Sequence, residues 1–161
     1  MKLKIILPIA VFILAFSGCK KGEPYPLNPL YDLDISLHGE TKGPGKAIGF
    51  IKFRQNPDTA RVITLDTWVA NLLPNHSYLL QRAVNPIADV TGCSSTAWLT
   101  LGEGLQSKSI ETNAEGNGSA NLWRDITAIA RGTAFHIHFQ ILDATTLAPV
   151  LTSDCFDYTV R

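Results

Sequence analysis

Two segments of this 161-residue chain alternate apolar and polar residues one for one. Tyr31, Leu33, Ile35 and Leu37 alternate with Asp32, Asp34, Ser36 and His38. Further on, Phe135, Ile137, Phe139 and Ile141 alternate with Ala134, His136, His138 and Gln140. A period of two sends every second side chain to the same face, so such a segment buries one side only when it is extended in a sheet. Further strands are expected at Lys46–Arg54, Arg61–Ala70, Ser77–Val84, Ser95–Leu101, Ser107–Thr112, Gly118–Trp123 and Val150–Val160, with the two alternating segments running over Tyr31–His38 and Thr133–Asp143. Each is bounded by Gly, Pro, Asn or Asp clusters, the residues that turns require. About nine short strands at this spacing predict an all-β domain over residues 31–161, an antiparallel sandwich or barrel rather than an α/β fold. At most one short helix is expected, over Arg124–Gly132.

The amino terminus has a different texture. Met1-Lys2-Leu3-Lys4 is a basic start, and Ile5 to Phe16 form an apolar run too short for the roughly 20 residues of a membrane span but suited to a secretory signal. The following Phe16-Ser17-Gly18-Cys19 resembles the lipobox of bacterial lipoproteins, with Phe16 standing where that family usually has an aliphatic residue. The resemblance implies cleavage after residue 18 and acylation of Cys19. Several acyl chains, at about 0.8 kcal/mol per buried methylene, would make the attachment stable. Lys20 resembles the outer-membrane sorting pattern of bacteria with two membranes. Residues 20–30, with three prolines, read as a semi-extended spacer between Cys19 and the domain.

The remaining cysteines, Cys93 and Cys155, make an even pair in an exported, oxidising setting, so a disulfide between them is expected. The alternative is two buried free thiols.

Leu72-Leu73-Pro74-Asn75-His76-Ser77-Tyr78 is similar to the L-x-P-x-x-x-Y corner of fibronectin type III and other immunoglobulin-like domains. That resemblance implies an immunoglobulin-like sandwich, with the Tyr78 hydroxyl returning to backbone upstream. It covers residues 61–84, and the chain runs on to Arg161. The alternative is an ordinary Pro-Asn turn beside a half-buried tyrosine.

Several residues are candidates for function. His136 and His138 lie two apart on an expected strand, on the same side and close enough to share a copper or zinc ion, as in the superoxide dismutases. Such a site needs further ligands from His38, His76, Asp154 or Asp157. The alternative is a pair of hydrogen-bonded histidines on the polar face. Trp68, Trp98 and Trp123 each share a strand face with Thr, Asp, Ser or Asn, and aromatic rings outside a core mark either a protein-binding or carbohydrate-binding surface or a secondary cluster covered by loops. Asp58-Thr59-Ala60 resembles an O-glycosylation triplet of some Bacteroidota.

Catalytic signatures are missing. The chain holds no G-x-S-x-G, no H-E-x-x-H and no Walker loop, and its Gly-rich stretches at Leu101–Gly104 and Asn113–Gly118 read as hairpin turns. With 14 basic and 14 acidic residues, it lacks the excess positive charge of a nucleic-acid binder. The expectation is a non-enzymatic, lipid-anchored protein of the bacterial cell envelope whose β-sandwich is a binding or structural interaction module, with metal binding through His136 and His138, or a glycan-binding module, as the rivals. Mass spectrometry of the mature protein should find Cys19 as an acylated first residue, and Cys19→Ala should release the protein from membranes; a mature amino terminus elsewhere would refute the tether.

Overall fold

A computed structural model of the chain describes residues 32–39, 46–55 and 61–161. The expected signal, Cys19, the spacer and the triplet Asp58-Thr59-Ala60 lie outside them. Among the described residues, twelve strands form one sheet: β1 (Asp32–His38), β2 (Ile48–Gln55), β3 (Val62–Ala70), β4 (Ser77–Pro86), β5 (Leu99–Thr100), β6 (Gly102–Glu103), β7 (Gln106–Ser107), β8 (Ser109–Glu111), β9 (Gly118–Asp125), β10 (Ala134–Asp143), β11 (Pro149–Ser153) and β12 (Phe156–Thr159).

The hydrogen-bonded order runs β5-β4-β10-β11-β1-β2-β3-β9-β6-β7. On the far side, β8 pairs with β4, and just beyond it Thr112 bridges to Gly118 at the start of β9. The sheet therefore nearly closes on itself, which leaves few unpaired backbone edges. Every pairing between strands is antiparallel except the single β6–β9 contact, Glu103 opposite Trp123.

The alternation seen in the residues sets the core. Ile35 and Leu37 of β1, Ile51 and Phe53 of β2, Leu65 of β3 and Leu122 of β9 all point inward and are fully or almost fully buried. They meet Leu80, Ile110, Phe139 and Ile141 from the opposite wall in one continuous cluster. Phe53 lies edge-on to both Phe139 and Tyr158, at centroid distances of 6.3 and 4.8 Å. Tyr158 donates to Gln55 Oε1, and burial raises its pKa far above the ordinary tyrosine value, so it remains a donor. Gln55 in turn donates from Nε2 to the Arg161 carbonyl at 3.0 Å and accepts from the Arg161 N–H at 3.1 Å. One buried amide thus ties the end of the chain to β2.

The strand count exceeds nine by three, because β6 forms within Leu101–Gly104, the expected strand Ser107–Thr112 is divided at Lys108 between β7 and β8, and the last expected strand is divided as well. The expected strand Val150–Val160 is two strands, because Asp154 and Cys155 break out of the ladder. There the Phe139 N–H donates to the Ser153 hydroxyl at 2.9 Å in place of a backbone partner. Cys155 at this break is bonded to Cys93, with Cα atoms 5.6 Å apart, so the pairing expected from the cysteine count is present. Across a separation of 62 residues, the chain-entropy account of such a link amounts to about 4 kcal/mol.

The helix expected over Arg124–Gly132 does not form. β9 continues to Asp125, whose carboxylate accepts from both the backbone N–H and the hydroxyl of Thr127 at 2.6 Å. Arg61 donates to the carbonyls of Thr127 and Ile129. The Thr127 and Ile129 carbonyls are thus held by the Arg61 guanidinium, and the segment from Ile126 to Gly132 runs as turns. The glycine-rich stretch Asn113–Gly118 is a hairpin turn, as read, whereas in Leu101–Gly104 the residues Gly102 and Glu103 form β6 and the turn into β7 falls at Gly104 and Leu105. Gly116 adopts φ 76° in the turn between β8 and β9, and a Cβ there would stand 2.1 Å from the Leu72 carbonyl oxygen.

At the entry to β4, the Tyr78 hydroxyl accepts from the Leu73 N–H at 3.0 Å, the local geometry that the corner motif requires. Tyr78 itself is 1% exposed. Tyr78→Phe should therefore leave a partly buried N–H unpaired and lower the unfolding free energy by about 1–3 kcal/mol in urea titrations; an unchanged midpoint would show that the corner contributes nothing.

Candidate ligand-binding face

The outer face of β2, β3 and β9 carries the exposed aromatic residues. In β3, Ile63, Leu65, Thr67 and Val69 are buried, so the opposite phase presents Val62, Thr64, Asp66 and Trp68 outward. β9 follows the same rule: Ala120 and Leu122 are buried, while Ser119, Asn121 and Trp123 point out. β2 is different. Ile51 and Phe53 fill the core, yet Ile48 and Phe50 in the outward phase are also large and apolar.

Register brings these together. Phe50 stands opposite Trp68, and Ile48 opposite Ala70. The rings of Phe50 and Trp68 lie 6.1 Å apart at an interplanar angle of 37°. All three side chains remain open to solvent, Ile48 at 48%, Phe50 at 38% and Trp68 at 45%. Trp68 stands between two concavities. On one side a cleft of about 360 Å³ runs past Ile48, Phe50 and His38. On the other, an open cleft of about 630 Å³ is walled by Glu111, Asn113, Asn117 and Ser119.

The polar wall is a built turn. Asn113 Oδ1 accepts from the N–H groups of Glu115 and Asn117 at 3.1 and 2.9 Å, so its carbonyl oxygen is committed to the turn. No described residue accepts from its Nδ2, which leaves that amine for an outside partner. Hydrogen bonds from the hydroxyls of Ser109 and Ser77 hold the Glu111 carboxyl below the ordinary glutamate range, so it is ionised near neutrality.

Trp123 occupies the same outer face of β3 and β9 but four residues further along, where it stands opposite Thr64 while Trp68 stands opposite Ser119. That offset is roughly 13 Å at about 3.3 Å per residue. Its indole leans over Gly104 on the β6–β7 hairpin, where φ is 66° and a Cβ would lie 2.8 Å from the ring. A separate cleft of about 450 Å³ lies there, beside Leu105 and Arg124.

The other expected site residues fall elsewhere. Trp98 is half-buried and stacks on His138, with ring centroids 4.6 Å apart and planes 31° apart. It belongs to the covered cluster that was the alternative reading. His136 and His138 do share the outer side of β10, as the spacing implied. Each already spends one ring nitrogen, His136 Nδ1 on Asp157 at 2.5 Å and His138 Nε2 on the Ser95 carbonyl at 3.1 Å. His76, another possible ligand, pairs with Asp143 at 2.8 Å. Among the described residues, no group of three or more His, Cys, Asp or Glu is placed to hold a metal ion.

Sequence reading missed Ile48 and Phe50. The signal was present: Ile48, Phe50, Ile51 and Phe53 are apolar in both phases of one strand, which cannot all enter a one-sided core.

Burial lowers the pKa of His138, and the hydrogen bond to Ser95 offsets this only in part. Its folded-state pKa lies below the unfolded value of about 6.5, so the unfolded chain binds more protons and stability falls as pH drops through that value. Denaturation midpoints measured at pH 7 and 5 should show this loss in the native chain and a smaller loss in His138→Gln. Equal losses would assign it to other groups.

Compared with protein-family models, with curated proteins and with solved structures, the chain matches none.

Proposed function

We propose that this chain is a non-enzymatic, lipid-anchored binding protein of the bacterial cell envelope, tethered through Cys19 at the outer membrane, whose ligand surface is the outer face of β2, β3 and β9 around Trp68. The observation that carries the reading is the adjacency of Ile48, Phe50 and Trp68, three exposed large apolar side chains in register with a cleft on either side of the indole. Exposed apolar surface forgoes about 25 cal/mol per Å² that burial would return, so a contiguous set of this kind marks a place of contact.

The tether rests on the lipobox-like Phe16-Ser17-Gly18-Cys19 and is supported by the disulfide, a bond characteristic of chains folded outside the cytoplasm. The immunoglobulin-like character of the body rests on the corner at Tyr78, supported by its bond to the Leu73 N–H. The absence of catalytic motifs from the sequence favours binding over turnover. The rival metal reading has lost ground, because both histidines of the pair have hydrogen-bonding partners and no described residue supplies a third ligand beside them.

The test is retention of the full chain, solubilised in detergent, on immobilised cell-envelope fragments. Trp68→Ala should lower retention about tenfold with an unchanged thermal midpoint, a loss equivalent to about 1.4 kcal/mol, whereas Trp98→Ala should not. Equal retention of native chain and Trp68→Ala, or a hydrolytic activity abolished by one substitution, would overturn the reading.

A further inference from the structure

We infer that the cleft between Trp68 and the turn carrying Asn113 and Asn117 is a binding site for a short neutral oligosaccharide, an inference that rests on the outer face of β2, β3 and β9 being the ligand surface.

The two walls of the cleft differ in chemistry. One is the indole of Trp68, backed by Phe50. The other offers the amides of Asn113 and Asn117, the Ser119 hydroxyl and the Glu111 carboxylate. A pyranose ring has the same asymmetry. Its axial C–H groups make an apolar patch that packs on an aromatic face, and its rim of hydroxyls both donates and accepts hydrogen bonds. Asn113 supplies a donor at Nδ2, and the Glu111 carboxylate, held by the Ser77 and Ser109 hydroxyls, has lone pairs left to accept from a further hydroxyl.

The volume agrees: about 630 Å³ falls within the ~300–1,000 Å³ of small-ligand sites. A protein partner fits less well. A stable protein interface buries about 1,200–2,000 Å² in total, whereas the exposed apolar set here is Ile48, Phe50 and Trp68, rimmed by polar groups. Charge narrows the class further. Among the described residues lining this cleft Glu111 is the one ionisable side chain, and it is anionic, so uronic acids and other anionic sugars are disfavoured along with nucleic acids and phosphorylated headgroups.

Trp123 plays no part in this site. Its indole is carried toward the β6–β7 hairpin, beside a different cleft.

The test is isothermal titration calorimetry of the full chain in a zwitterionic detergent without a sugar headgroup. The probes are cellohexaose, xylohexaose, mannohexaose, laminarihexaose and chitohexaose, with trigalacturonate as the anionic control. At least one neutral probe should bind saturably and trigalacturonate should not. Trp68→Ala should weaken binding about tenfold and Trp68→Phe less, because a ring remains for stacking. Asn117→Ala should cost about threefold to tenfold, the range for losing a net hydrogen bond, and Trp123→Ala should leave affinity unchanged. Failure of every neutral probe, equal binding of trigalacturonate, or binding indifferent to Trp68→Ala would overturn the inference. If envelope retention still depends on Trp68 while no neutral sugar binds, the ligand class is wrong and the face stands. If retention is also independent of Trp68, both readings fall.

Discussion

Strand β10 is the seam on which the rest of the sheet depends. It pairs with β4 along nearly its whole length, from Phe135 opposite Pro86 to Asp143 opposite Tyr78. On its other edge it pairs first with β12 and then with β11. Its inward residues Ile137, Phe139 and Ile141 occupy the middle of the core, and its outward residues carry the two histidines. A strand hydrogen-bonded on both edges must place every backbone group, and the break at Asp154 and Cys155 is tolerated because the Ser153 hydroxyl takes up the Phe139 N–H.

With both edges nearly joined through β8, the apolar side chains of the facing walls meet in one continuous cluster, and the two clefts beside Trp68 lie on the outer face. Most outward positions are polar or are covered by a neighbouring segment. The exceptions concentrate where β2 and β3 pair, because Phe50 and Trp68 stand directly opposite each other, and the hairpin turn from Asn113 to Asn117 raises a polar wall beside them. The cleft is therefore a product of one register and one turn.

The opposite side of the molecule illustrates how the same ingredients become structural. There Trp98 stacks on His138, the Ser95 carbonyl receives its Nε2, and the disulfide holds the segment around Cys93 against the end of β11. Trp98 and His138, which look functional in one dimension, are half-buried beside the segment at Ser95, and His136 is spent on Asp157 of β12. Trp68 has no such segment over it among the described residues.

Much of the body was legible in residue order. Alternation in Tyr31–His38 and Thr133–Asp143 announced the strands, the Gly-rich stretches announced the hairpins, the cysteine count announced the pairing of Cys93 with Cys155, and the L-x-P-x-x-x-Y pattern announced the bond of Tyr78 to upstream backbone. The strands and hairpins follow from local stereochemistry and the pairing from counting, whereas the Tyr78 bond is what the resemblance to immunoglobulin-like corners implied. The closure of the sheet through β8, the division of the last expected strand in two, the run of turns after Asp125 where a short helix was expected, and the separation of three tryptophans into one half-buried and two exposed were settled only by tertiary structure. Which face a side chain takes depends on its own strand, but what lies beside it depends on pairing between distant segments, and that pairing is decided by the whole core at once.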